Sequence, residues 1–318
     1  MKLKIVYIVG TGRSGSTLID AVLGNSRKAV STGELYDTIS AQLGNKLCSC
    51  GAKFRNCPFW SQVSSHYSDA LETTTLYGMH KIHRRLERSA LAPLRIMLTT
   101  ILRLKDIKDY KRFLHYIYAA LRTVSGKSVI VDSSKNPLRG YLLSLLDSAD
   151  VYYIHLVRDG RAALWSWMQT GTIPPFEIPI RKYAHVTATS ESRCYYWYTP
   201  WLYSMSWVAY NLATQVALRL IQKKHVRIQY EQFVANPSHH IDLIGNLIDE
   251  DLCDLRNLID VSSPLQIDHI ISGNQLRLTR QLTLRKANED WKRNLPDSYK
   301  KVFWMCAGWL ARSYGYGR

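Results

Sequence analysis

The stretch Leu3-Lys4-Ile5-Val6-Tyr7-Ile8-Val9-Gly10-Thr11-Gly12-Arg13-Ser14-Gly15-Ser16-Thr17, continuing into Leu18-Ile19-Asp20-Ala21-Val22-Leu23, decides the fold. Seven residues of mostly apolar character bounded by glycine read as a buried strand, and the run after Thr17 reads as a helix closed by Gly24-Asn25. A glycine-rich turn between strand and helix aims several backbone N–H groups, and the positive end of the helix, at one anion. Arg13 and the hydroxyl side chains in the same stretch strengthen the expectation of a phosphate-like ligand over a turn that is glycine-rich by accident.

Two motif readings compete for this turn. Gly10, Gly12 and Gly15 fit the dinucleotide fingerprint, and Glu34 lies where a ribose-binding acid is sought. Gly10, Gly15, Ser16 and Thr17 half fit a phosphate-binding loop of the kinase type, with Ser16 where the lysine belongs.

Further short apolar runs occur at Ser128–Val131, Val151–Val157 and Val226–Tyr230, each followed by a polar loop and a helical pattern. That alternation predicts an α/β fold: a central parallel sheet flanked by helices, with functional loops at the strand C-termini. Between about residues 60 and 125 the pattern is helical and basic, and it predicts a helical insertion over the active edge of one domain spanning 1–318.

Lys and Arg exceed Asp and Glu to give a formal net charge of +17 over 318 residues. Such a surface favours polyanionic partners, whether nucleic acid, acidic polysaccharide, anionic lipid or a phosphorylated cofactor. No nucleic-acid motif accompanies the charge, so nucleic acid is not expected. The opening residues are too short an apolar run for a signal peptide, and a cytoplasmic location is expected. Cys194 to Leu218 carries no charged residue, but Pro200, Asn211, Thr214 and Gln215 interrupt it, so a buried helix is expected rather than a membrane span. Of six cysteines, Cys48, Cys50 and Cys57 cluster without a fourth ligand nearby; they are read as reduced structural thiols, with a metal site as the alternative and no metal expected.

Arg13-Ser14-Gly15-Ser16-Thr17 also resembles the 5′-phosphosulfate loop of the sulfotransferase family that uses 3′-phosphoadenosine 5′-phosphosulfate (PAPS). Arg158-Asp159-Gly160-Arg161, with Ser166, resembles that family's 3′-phosphate loop, and it is the pairing of the two loops that makes the resemblance specific. Val131-Asp132-Ser133-Ser134-Lys135 resembles the family's lysine-bearing loop. Val226 to Pro237, containing Tyr230, resembles the family's R-Y-E-D-L-V-x-x-P segment, with Gln229 intruding before the tyrosine. Arg285-Lys286 with Asp290-Trp291-Lys292 resembles the late basic loop, without its usual glycines. His269–Arg277 and the Cys-Ser-Cys-Gly…Cys-Pro-Phe-Trp stretch are similar to a bacterial branch, akin to carbohydrate and tyrosylprotein sulfotransferases.

The resemblance implies a P-loop nucleotide-kinase-like sheet, PAPS as donor, adenosine 3′,5′-bisphosphate as product, and no metal. It implies donor binding by Gly12, Arg13, Ser14, Gly15, Ser16, Thr17, Arg158, Ser166, Tyr230, Arg285 and Lys286. Glu34 resembles the catalytic glutamate of tyrosylprotein and several bacterial sulfotransferases, and with Lys135 and Arg13 it would carry the chemistry. A solvated surface carboxylate is the competing reading of Glu34; His155 reads as core, and His80, His83 and His115 as lesser base candidates. Tyr195-Tyr196-Trp197-Tyr198 with Trp201, Tyr203 and Trp207 suits a carbohydrate or glycolipid acceptor, although a helix rich in Trp and Tyr is more often core or a homodimer contact. Leu98, Ile101 and Leu102 within the basic insertion are compatible with membrane-surface contact. The alternatives are a P-loop kinase-like phosphotransferase using ATP and a basic polyanion-binding protein.

Overall fold

The structure is a computed structural model that describes residues 2–68, 76–87, 104–169 and 199–317. Strand β1 (Leu3–Gly10) is followed by α1 (Ser16–Leu23), β2 (Ala29–Ser31), α2 (Thr38–Leu43), α3 (Pro58–Ser68), α4 (Leu76–Glu87) and α5 (Leu104–Ser125). Then come β3 (Val129–Lys135), α6 (Pro137–Ser144), β4 (Ala149–Val157), α7 (Gly160–Gln169), α8 (Thr199–Ile221) and β5 (His225–Gln229). The chain closes with α9 (Tyr230–Ala235), α10 (Pro237–Ile248), α11 (Cys253–Asp260), β6 (Leu265–Gln266), β7 (Gln281–Leu282), α12 (Trp291–Asn294) and α13 (Asp297–Ser313).

The main sheet has the order β2-β3-β1-β4-β5 and all its pairings are parallel. Parallel sheets bury both faces, and β1 shows why its near-continuous apolar run was needed. Ile5, Tyr7 and Val9 point into one buried cluster, while Val6 and Ile8 point into another on the opposite face. The expected fold class is therefore observed: a P-loop-kinase-like central parallel sheet between helical layers.

β1 is central and the chain moves to opposite sides of it, the topology in which ligands bind at the strand C-termini, here those of β3, β1 and β4. Every strand of the main sheet delivers a candidate residue to this edge. β1 runs into the glycine-rich turn, β2 precedes Glu34, β3 ends on Lys135, β4 precedes Arg158, and β5 hands over to Tyr230. Two boundaries differ from the sequence reading: β3 continues through Asp132–Lys135, and Tyr230 opens a helix instead of ending a strand.

The insertion helices require a larger correction. Tyr67 of α3 and Tyr110, Phe113, Leu114, Ile117, Tyr118 and Leu121 of α5 belong to the same buried cluster as Ile5 and Tyr7. These helices form part of the packed layer on one sheet face, where they were expected over the active edge. α4 touches the edge through His83, whose ring meets Tyr36 edge-on at 4.7 Å. Leu98, Ile101, Leu102 and Tyr195–Tyr198 lie outside the described residues. Among the described residues, no helix is long and apolar enough to cross a membrane.

Candidate active site

The glycine-rich turn is shaped by backbone conformation. Gly15 caps α1 at φ 93°, and a Cβ there would sit 2.2 Å from Cδ2 of Tyr230, so only glycine admits the ring packed beneath the turn. Arg13 and Lys135 also take left-handed backbone, at φ 63° and 66°. For side chains with a Cβ this costs on the order of 1–2 kcal/mol each, and such outliers concentrate at functional sites.

Arg13 lies over the Trp167 ring at 4.9 Å and Arg158 over the Tyr230 ring at 4.6 Å. The Arg158 guanidinium also donates to the Arg13 carbonyl at 3.0 Å. Burial lowers the Arg13 pKa and nearby Arg158 adds to the effect, while Glu34 opposes it. A neighbouring acid does not take Arg158: Asp159 pairs with Arg161 at 2.8 Å, and Arg158 forms no ion pair among the described residues. Instead Glu231 fixes the turn, accepting from the Asp159 amide at 3.1 Å and from the Tyr316 hydroxyl at 2.8 Å.

Ser14 and Thr11 are buried, and their hydroxyl oxygens have no hydrogen-bond partner among the described residues; the same holds for Nε of Arg158. Buried polar atoms are almost always paired, so this cluster fits a hydrogen-bond-accepting anion held between the turn and Arg158. Ser16 and Thr17 are buried in the first turn of α1, and Ser166 is half-buried on α7.

Glu34 forms an ion pair with Lys135, and both side chains are largely sheltered, 24% and 14% exposed. Lys135 donates in addition to the Ser133 carbonyl at 3.1 Å. The backbone of Gly273–Asn274 closes this corner: a Cβ at Gly273 would lie 2.8 Å from the Thr17 hydroxyl and 3.6 Å from a Glu34 carboxylate oxygen. The Asn274 amide donates to Thr17 Oγ1 at 3.2 Å. Glu34 is thus neither a solvated surface charge nor remote from the turn.

Arg285 and Lys286 are exposed on the coil between β7 and α12, where they line a cavity of about 800 Å³ with Glu231, Val234 and Pro237. Neither forms a hydrogen bond with Arg158 among the described residues. His155 is core as expected: it meets Asn211 at 3.3 Å, and burial pushes its pKa down to about 4. His83 is buried against Tyr110, and His115 bonds Ser148. Trp167 and the Gly273–Asn274 strap carried no role in the sequence reading. An aromatic one residue after Ser166 was the available signal for the first; the second lies in the His269–Arg277 segment already singled out by resemblance, but its place was not legible because it reaches the turn from the far end of the chain.

These features define an α/β protein with an acid–lysine pair beside a glycine-rich turn suited to an anion, and the sequence supplies the family. The sulfotransferase family model matches residues 6–254, and the chain belongs to that family and is a sulfotransferase enzyme. No curated protein matches the sequence. The sulfotransferase domain of the Synechococcus PCC 7002 olefin synthase is similar at TM-score 0.47 and 16% identity, over 100% of this chain and 97% of that one. The sulfotransferase domain from the curacin biosynthetic pathway is similar at TM-score 0.47 and 12% identity, covering 99% and 98%. Sulfotransferase STF9 from Mycobacterium avium follows at TM-score 0.44 and 13% identity, covering 82% and 69%. Family membership rests on the sequence match and not on these likenesses.

Proposed function

We propose that the chain transfers a sulfuryl group from PAPS to an acceptor hydroxyl, with Glu34 as general base. The observation that carries this reading is the set of unpartnered buried atoms at Thr11, Ser14 and Arg158, next to the sheltered Glu34–Lys135 pair. PAPS, when bound, supplies a sulfuryl group already activated by a phosphate leaving group.

The residues divide the work by charge. Gly12–Thr17 and Arg13 hold the 5′-phosphate through backbone N–H groups, hydroxyls and one guanidinium, and so stabilise negative charge that grows as the sulfuryl group departs. Arg158 and Ser166, with Tyr230 supporting the guanidinium, take the 3′-phosphate. Arg285 and Lys286 extend the same positive surface toward the donor. Lys135 leaves Glu34 for the sulfuryl and bridging oxygens, which frees the carboxylate to accept the acceptor's proton. Transfer is direct, and no covalent enzyme intermediate is required.

The acceptor we infer is a carbohydrate or glycolipid hydroxyl. Of the aromatic stretch that suggested it, Trp201 stands 42% exposed, whereas Tyr203 and Trp207 are core. The match over residues 6–254 and the shared buried clusters support a reading of the chain as one domain.

Thermal unfolding with nucleotides tests the donor assignment. Adenosine 3′,5′-bisphosphate at a hundredfold excess over its Kd should stabilise the native state by about 2.7 kcal/mol, and AMP by much less. Equal shifts from both would remove the 3′-phosphate role of Arg158 and Ser166. Release of the bisphosphate from PAPS across an acceptor panel then identifies the substrate, and magnesium-dependent turnover of ATP in its place would favour phosphoryl transfer.

A further inference from the structure

The sequence showed no fourth ligand near Cys48, Cys50 and Cys57; the fold brings a candidate, His269, to them. His269 brings Nδ1 to 3.2 Å from the Cys57 sulfur and 3.9 Å from that of Cys48, across 212 residues of chain in the first case. The Cys50 and Cys57 sulfurs are 3.7 Å apart, and all four ligand atoms lie within 4.8 Å of one another.

Those separations are the edges of a tetrahedron. With zinc–sulfur bonds of about 2.3 Å and a zinc–nitrogen bond of about 2.0 Å, ligand atoms at tetrahedral angles sit roughly 3.5–3.8 Å apart. The scaffold is built to hold the set in place. Cys48 and Cys50 flank a tight turn in which the Cys48 amide bonds the Ala52 carbonyl at 2.9 Å and the Gly51 amide returns to the Cys48 carbonyl at 3.0 Å. Cys57 immediately precedes α3, its carbonyl accepting from the Ser61 amide at 2.9 Å. The His269 ring stacks on Phe59 at 5.2 Å, and its carbonyl accepts from the Trp60 indole at 2.7 Å.

We propose that Cys48, Cys50, Cys57 and His269 bind one structural zinc ion, or a divalent ion of the same softness. Four protein ligands close a tetrahedral shell, so the ion keeps no open position and acts as a clamp and not as a Lewis acid. Three thiolates and a neutral imidazole leave the filled site with one net negative charge, and any thiol still protonated releases its proton on binding. Arg277, which donates to the Leu47 carbonyl at 2.9 Å, and Arg280, 3.5 Å from the Cβ position of Gly51, place compensating charge alongside.

The clamp acts on the candidate active site. His269 begins the strap that continues through Ile270, whose amide donates to Ser49 Oγ at 2.8 Å, to Gly273 and Asn274 against Glu34 and Thr17. Fastening His269 to the cysteine loop fixes that strap, and with it the wall beside the proposed base.

Elemental analysis of the full-length protein, purified under reducing conditions without chelator from zinc-supplemented cells, tests the proposal. It should return about one zinc per chain, with an X-ray absorption shell of three sulfurs near 2.3 Å and one nitrogen near 2.0 Å. His269→Ala and Cys57→Ser should each lose most of that zinc. If the variants do not fold, the wild-type metal content and absorption spectrum still decide. Less than about a tenth of an equivalent, after refilling with zinc under reducing conditions, would overturn the site. So would a Cys50–Cys57 disulfide found in the protein as isolated from the cell. None of these readings depends on sulfuryl transfer, so the zinc site and the proposed activity can fail separately.

Discussion

Glu34 carries its proposed role through position and not through an unusual environment. It follows β2, sits in a corner closed by Gly273 and pairs with the one lysine that β3 delivers. Glu34→Gln preserves shape and hydrogen bonding but removes basicity, so turnover should fall about 10²- to 10⁴-fold with donor affinity nearly unchanged. Single-turnover rates and nucleotide titrations of the variant separate the two quantities, and a variant near wild-type in rate would end the assignment. Asp20, on α1, makes a different prediction. It is fully buried, accepts hydrogen bonds from Ser31 and Ser133 at 2.7 Å each, and burial pushes its pKa up to about 7. The folded state therefore binds this proton more tightly than the unfolded chain, whose aspartate titrates near 4. Its stabilising contribution is complete below about pH 4 and is lost as pH rises through 7, a change of about 4 kcal/mol at most. Asp20→Asn should flatten that slope, which urea midpoints measured at pH 5 and pH 8 would show.

At the scale of elements, β3 is held to the helical layer by a buried ionic cluster. Asp132 pairs with Nε of Arg139 from α6 at 3.2 Å, with the two side chains 0% and 1% exposed. Arg139 donates also to the Tyr110 hydroxyl at 3.0 Å, and the Tyr118 hydroxyl of α5 donates to Asp132. Besides its buried apolar face, α5 brings Tyr110 and Tyr118 to hydrogen-bond a charge pair whose burial is otherwise costly. Removing the cation alone strands a buried carboxylate, so Arg139→Met should destabilise the protein by about 3–5 kcal/mol. Adding Asp132→Asn should recover part of that loss, and a double-mutant cycle in urea measures the coupling.

Across the whole molecule, the surplus of +17 sets a positive field around a site whose proposed donor is a polyanion. Such a field raises encounter rates and is screened over about 10 Å at 0.1 M salt. The association rate of adenosine 3′,5′-bisphosphate should accordingly fall steeply between low and physiological ionic strength, with dissociation changing far less. Stopped-flow binding against salt measures this. A flat profile would mean that the charge serves some other surface.

Much of the architecture was legible because it is written in local physics. A run of apolar residues of strand length, a glycine turn with φ above zero and a helix start are properties of neighbours in sequence, so β1, the anion turn, β4 and Arg158 could be read directly. The positions of Glu34 and Lys135 were legible too, as the residues that follow particular strands. What the sequence left open were encounters between distant segments, whose outcome depends on how helices pack and where loops return. The partner of Arg158 proved to be the Arg13 carbonyl and not Asp159; α5 became a core helix whose Tyr110 and Tyr118 meet Arg139 and Asp132. His269 likewise joined three cysteines more than two hundred residues upstream. Spacing along the chain carries no information about such a meeting, whereas the packed fold fixes it to within the length of a metal–ligand bond.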